Sequence, residues 1–145
     1  MIIFSTVGGT TRKVAKRIAA RIGDTVCVDA QTARATPPVS DDRCVVLLCP
    51  AYGDEELEDH FESLLLEWNW SALSGNSFAF CEIGIYTGYE DFGHGLARMV
   101  RQKLHAHGLR ELVPPLSVDA VPISDWAMID AWADLLVRPS GVIDE

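Results

Sequence analysis

Two rhythms of apolar residues alternate along this chain. RCVVLLC, residues 43–49, is unbroken by polar positions, as a strand covered on both faces should be. MIIF at 1–4, TVCVDA at 25–30 and SFAFCEIGI at 77–85 are further runs of strand length. Between them the spacing lengthens to that of helices. Val14, Ala15, Ile18, Ala19 and Ile22 share one face, opposite Arg12, Lys13, Lys16 and Arg17, which predicts a helix over Thr11–Ile22 ended by Gly23. Leu57, Phe61, Leu64, Leu65 and Trp68 predict a second helix. Phe92, Leu96, Met99, Val100 and Leu104 predict a third, stopped at Gly108. LRELVPPLSVDAV, residues 109–121, is a fifth strand interrupted by Pro114 and Pro115. Prolines cannot donate to a ladder, so this strand belongs at the rim of the sheet. A last helix has Ser124 as its N-cap and Trp126, Ile129, Ala133 and Leu136 as its inner face.

Apart from the polar, proline-containing connection QTARATPPVSDD at 31–42, strands and helices alternate, which gives an α/β architecture, a parallel sheet with helices on both faces joined by right-handed crossovers. In such sheets ligands bind beyond the carboxyl ends of the strands, where strand order reverses. Three segments fall there, Ser5–Thr10, Pro50–Glu56 and Ile85–Phe92. A length of 145 residues fits one domain over 1–145.

Charge narrows the partners. The net charge of −9 repels phosphate backbones and anionic lipid, which argues against nucleic acid and membrane and for a basic protein partner. No apolar run approaches the roughly 20 residues of a membrane span, and MIIFS lacks the basic start of a signal peptide. The four cysteines, Cys27, Cys44, Cys49 and Cys81, form no CxxC pair and lie in strand-like runs. Buried, reduced thiols and a cytoplasmic location are the expectation. The four histidines have no evident nucleophile or metal partners in the sequence, so no metal site and no catalytic constellation are expected.

The first loop, STVGGTT at 5–11, carries the clearest chemistry. It joins a strand to a helix N-terminus, where backbone N–H groups are unpaired and the dipole favours an anion. Gly8 and Gly9 permit close approach, and Ser5, Thr6, Thr10 and Thr11 offer hydroxyls. A tight turn with Thr10 or Thr11 as helix cap explains the same residues equally well. The GK[ST] of a nucleoside-triphosphate loop and the GxGxxG of a dinucleotide loop are both missing. So are a nucleophilic cysteine and a cluster of acceptor aspartates. With no cation in the loop, the pattern suits a phosphate monoester that stays bound rather than one that is transferred.

The other two loops add aromatic residues, Tyr52 on one and Tyr86, Tyr89 and Phe92 on the other, enough to sandwich a flat ring, although each alone fits a packing lid as well. STVGGTT, then PAYGDEELEDHF, then IGIYTGYEDF, in that order, resemble the three loops of a flavodoxin, and the resemblance covers nearly the whole chain. It implies a flavodoxin-like three-layer sandwich with a five-stranded parallel sheet of order 2-1-3-4-5, of the short-chain type. It implies FMN as cofactor. The phosphate would lie on Ser5, Thr6, Val7, Gly8, Gly9 and Thr10. Pro50, Ala51, Tyr52, Gly53 and Asp54 would line the ring on one side, and Gly84, Ile85, Tyr86, Tyr89 and Phe92 on the other, with Tyr52 and Tyr89 stacked on its two faces. The departures are Val7 for a threonine, Gly9 for an asparagine, Pro50 and Ala51 for small hydroxyl residues, and Ile85 for an aspartate.

The resemblance implies an electron carrier of low potential rather than an enzyme, passing single electrons from a reductase to a terminal acceptor through basic faces on those partners, and acting as a monomer. The peptide at Gly53 would turn to favour the one-electron-reduced ring. The acidic residues Asp54, Glu55, Glu56, Glu58, Asp59, Glu90 and Asp91 would oppose a second negative charge, although a run of carboxylates also suits a solvated helix start. An FMN-dependent reductase and a flavin-free docking module of the same fold are the competing readings, the latter resting on Val7 and Ile85.

Overall fold

The computed structural model describes residues 1–23, 25–33, 44–51, 57–84, 95–120 and 125–137. The elements follow the alternation of the sequence: β1 (Ile2–Phe4), α1 (Thr10–Ile22), β2 (Cys27–Asp29), β3 (Cys44–Pro50), α2 (Asp59–Glu67), a 3-10 turn (Trp70–Leu73), β4 (Ser77–Gly84), α3 (Gly95–Ala106), β5 (Arg110–Glu111), β6 (Leu116–Asp119) and α4 (Trp126–Leu136). The strands form a parallel sheet in the order β2-β1-β3-β4-β5. This is the expected 2-1-3-4-5 order. The fifth position is filled twice, β5 pairing with Ser77 and Phe78 and β6 with Cys81 to Gly84. Pro114 and Pro115 lie between the two pieces, at the sheet rim where the missing N–H groups leave no gap in an inner ladder.

Strand alternation divides the core into two layers. Met1, Ile3, Val45, Leu47, Phe78 and Phe80 face α2 and α3, against Phe61, Leu64, Leu65, Leu96, Val100 and Leu104. Ile2, Phe4, Val46, Leu48, Ala79, Cys81 and Ile83 face α1 and α4, against Val14, Ala15, Ile18, Ile129, Trp132 and Ala133. Both faces of β3 and β4 are therefore apolar, which is why their sequences carry so few polar positions. The 3-10 turn was not anticipated. It follows from Trp70, which is fully buried and gives its indole N–H to Leu65 O at 3.0 Å.

Two local expectations are corrected. The cap of α4 is Asp125, whose Oδ1 accepts from the Met128 N–H at 3.0 Å; Ser124 lies outside the described residues. Cys49 and Cys81 are buried and Cys44 partly so, but Cys27 is exposed, because β2 is an edge strand of three residues with one side turned to solvent. None of the four is joined in a disulfide. α4 is clamped to α1 by two forked ion pairs, Arg17–Asp130 at 2.8 and 2.9 Å and Arg21–Asp134 at 2.8 and 3.0 Å. Each helix carries its pair four residues apart, so the two rungs stack along one face.

Candidate functional site: an anion loop at the carboxyl edge of the sheet

β1 lies between β2 and β3, so the chain leaves its carboxyl end at the point where strand order reverses. Ser5 continues the strand, its N–H donating to Leu48 O at 3.1 Å. Thr6 Oγ1 then accepts from the Gly9 N–H at 2.9 Å, closing a tight turn. Gly9 has φ 91° and stands at the N-cap of α1, its carbonyl accepting from the Lys13 N–H at 3.2 Å. A left-handed residue at this point is what brings the chain out of the turn and into the helix, and glycine adopts it without strain.

Gly9 has no side chain with which to cap α1, so the reading in which Thr10 or Thr11 caps the helix is not the arrangement found. Among the described residues, the N–H groups of Val7, Gly8, Thr10, Thr11 and Arg12 have no hydrogen-bond acceptor. Among the described residues nothing lies within 4 Å of where a Cβ would stand on Gly8 or Gly9, so these leave the cradle open. Thr11 is 2% exposed and its hydroxyl has no partner among the described residues. Open donors, an open cradle and a buried unpaired hydroxyl fit an oxyanion of phosphate size. Arg12, the nearest cation in the chain, is occupied elsewhere, stacked over Phe4 and paired with Asp29 at 2.8 Å.

β3 and β4 bring the start of the other two loops to the same edge. Pro50 pairs in register with Ile83, the Ala51 N–H donates to Ile83 O at 2.8 Å, and buried Gly84 accepts from the Ala120 N–H at 2.8 Å. Ser5, Thr6, Val7, Gly8, Gly9, Thr10, Pro50, Ala51 and Gly84 are thus gathered along one edge. Tyr52, Gly53, Asp54, Ile85, Tyr86, Tyr89 and Phe92 lie outside the described residues. Among the described residues no cluster of metal-ligating side chains is present.

Sequence reasoning missed a buried polar row just beneath this edge. Ser5, Cys49, Glu82 and Ser117 occupy adjacent strands at matching positions, and Glu58 lies at the head of α2 beside Cys49. Glu58 and Glu82 are 6% and 2% exposed. Burial pushes the Cys49 thiol up to about 12, and both carboxylates add to the effect. Burial also opposes ionisation of Glu58. Bonds from His60 and the Phe61 N–H outweigh it and hold the carboxyl below its ordinary range. The one visible sign was Glu82, a charged residue inside an otherwise apolar strand run.

The chain matches the family model for flavodoxin over residues 2–127. A search of curated proteins returns no match. Solved structures share its fold. Oxidised flavodoxin 1 from Bacillus cereus is 18% identical, with 94% of this chain and 95% of that chain aligned and a TM-score of 0.72. The flavodoxin of Streptococcus pneumonia TIGR4 is 19% identical, with 93% and 94% aligned and a TM-score of 0.73. The Fusobacterium nucleatum flavodoxin bound to flavin mononucleotide is 12% identical, with 93% and 92% aligned and a TM-score of 0.71. With its sheet order and a family match spanning most of its length, the chain belongs to the flavodoxin family.

Proposed function

We propose that this chain binds FMN and works as a single-electron carrier between a reductase and an acceptor enzyme. The observation that carries the reading is the first loop, which offers open backbone donors and no cation at the switch point of a flavodoxin sheet. A monoester held by neutral donors is retained, not cleaved, which suits a phosphate used only as an anchor. FMN bound to a relative of this fold is recorded for the Fusobacterium nucleatum protein.

The flavin, when bound, supplies the redox chemistry. The chain's own part is to hold, orient and bias. Thr6, Gly8, Gly9 and Thr10 would seat the phosphate, and Pro50, Ala51 and Gly84 would form the floor under the ring edge. Tyr52 and Tyr89 supply the stacking faces in this proposal. Exposed Asp59, Glu62 and Glu67 on α2, within a chain of net charge −9, favour docking by basic faces on the redox partners. The cytoplasm, as a reducing compartment, suits four cysteines without a disulfide.

The test is the absorbance spectrum of the purified protein, followed by titration of the stripped protein with FMN and stepwise reduction. Retained flavin, saturable FMN binding and two resolved one-electron steps support the carrier. Steady turnover of a quinone with a nicotinamide cofactor and no protein partner would make it a reductase. Failure to bind FMN at all would leave a docking module.

A further inference from the structure

Each helix layer sets a basic helix beside an acidic one. α1 has arginines and lysines and no acid, and α4 has Asp130 and Asp134 and no lysine or arginine. These two pack directly on each other, with Arg17 and Arg21 forked onto the two aspartates. On the other side of the sheet α3 has Arg98, Arg101 and Lys103 and no acid, and α2 has Asp59, Glu62 and Glu67 and no lysine or arginine. The signs are again complementary, yet α2 and α3 do not close on each other. A groove of about 420 Å³ lies between them.

The groove is largely apolar. Leu65 and Leu66 line it from α2, Met99 and Ala106 from α3, and Leu57 from the segment just before α2. Leu66 is 63% exposed and Met99 40%. Single exposed apolar side chains are ordinary on a protein surface, but two that share one apolar groove mark a face that is covered in use. Each wall also carries one charge, Glu62 on α2 and Lys103 on α3. Among the described residues neither has an ion-pair partner.

A matching occupant offers a cation to α2, an anion to α3 and apolar side chains between them. A second copy of this chain offers all three. In a two-fold dimer one patch is used twice and has to complement itself. A two-fold axis running along the groove sets α2 of each copy over α3 of the other, so that Leu66 and Met99 are enclosed and each Glu62 meets a Lys103.

We propose that the groove between α2 and α3 is a self-association face, through which the chain forms a two-fold dimer in place of the monomer that the family resemblance implies. The first loop leads into α1, on the opposite side of the sheet, and stays free. Asp59 and Glu67 do not line the groove and stay available to a redox partner. Two copies of charge −9 repel each other at long range. At about 150 mM salt, fields beyond about 8 Å are screened, whereas contacts within the groove are not. Two helices per copy make a contact at the small end of specific interfaces, so the dimer comes apart on dilution.

The test is the weight-average mass of the full chain by sedimentation equilibrium, over about 5 µM to 1 mM protein at about 150 mM salt. The mass is expected to rise with concentration from 15.9 kDa toward twice that value. Leu66→Asp places a charge in the enclosed patch and should hold the chain at the monomer mass throughout. Glu62→Lys and Lys103→Glu each turn both ion pairs into repulsions and should weaken association about tenfold or more. The double exchange restores opposite signs and should return it to within about threefold of wild type. Circular dichroism of each variant separates lost association from lost fold, and if Leu66→Asp unfolds, the charge exchange decides alone. A wild-type chain that stays at 15.9 kDa at every concentration overturns the proposal and leaves the groove to a different protein. So does a dimer that a folded Leu66→Asp leaves intact, or one that the single reversals weaken and the double exchange does not restore.

Discussion

At Val7 the loop shows two methyl groups to solvent, 70% exposed, at its most open point. Threonine has nearly the same shape and adds a hydroxyl. A hydrogen bond to a charged group contributes about 1.5–3 kcal/mol at best, less at an exposed position. Val7→Thr is therefore expected to lower the FMN dissociation constant about three- to tenfold, read by flavin fluorescence quenching on the stripped protein. Unchanged or weaker affinity would mean that the phosphate does not sit over Val7. The loop was legible in the sequence because its residue types have few other joint uses, two glycines and four hydroxyls between an apolar run and a helix. The inward turn of Ser5 was not legible. Its hydroxyl turns to Cys49 Sγ, 3.8 Å away and 44 positions on in the chain; the burial of Glu58 nearby was hidden too, since in the sequence that glutamate is one of a run of acids at a helix start. Its burial is a product of packing across the sheet, which a local pattern does not encode.

Among the elements, α3 ends where Gly108 takes φ 88° against the turn at Ser74. A Cβ there would collide with the Ser74 side chain and also force a left-handed alanine. Left-handed backbone alone costs about 1–2 kcal/mol, so Gly108→Ala is expected to destabilise by at least that, measured by urea unfolding. Ser74→Gly should recover only the part due to the collision. The clamp between α1 and α4 responds to pH instead. The bond from Arg17 holds the Asp130 carboxyl below its ordinary range. A lowered carboxylate adds stability that is full above its unfolded pKa, about 3.9, and lost as pH falls through the lower folded value. The melting-temperature gap between wild type and Asp130→Asn should thus be flat above about pH 5 and close toward more acid pH. Helix and strand positions were readable because each apolar rhythm persists for two or more turns or pleats. The cap of α4 and the 3-10 turn were not, since one residue's side-chain reach and one tryptophan's burial decided them.

At the scale of the whole molecule, a charge of −9 on 145 residues makes association a matter of field as much as contact. Electron transfer to a basic haem protein should slow about tenfold or more between 10 mM and 300 mM salt, followed by stopped-flow absorbance. An ionic-strength-independent rate would remove charge from the account of partner choice. The strand order was legible once three loops and their order were recognised. The two layers differ in when they can form. Among the described residues, the layer beneath α2 and α3 is built from residues 1–109. The opposite layer packs Val14 and Ile18 against Ile129, Trp132 and Ala133, twenty-four residues later in the chain. At a synthesis rate of about 5–20 residues per second, the first layer is complete about 1–5 s before the second. During that interval a growing chain has one finished face, while the part of the apolar stripe of α1 that meets α4 stays uncovered. A ribosome that pauses between these points lengthens the time for which that stripe is open to chaperones and to neighbouring chains.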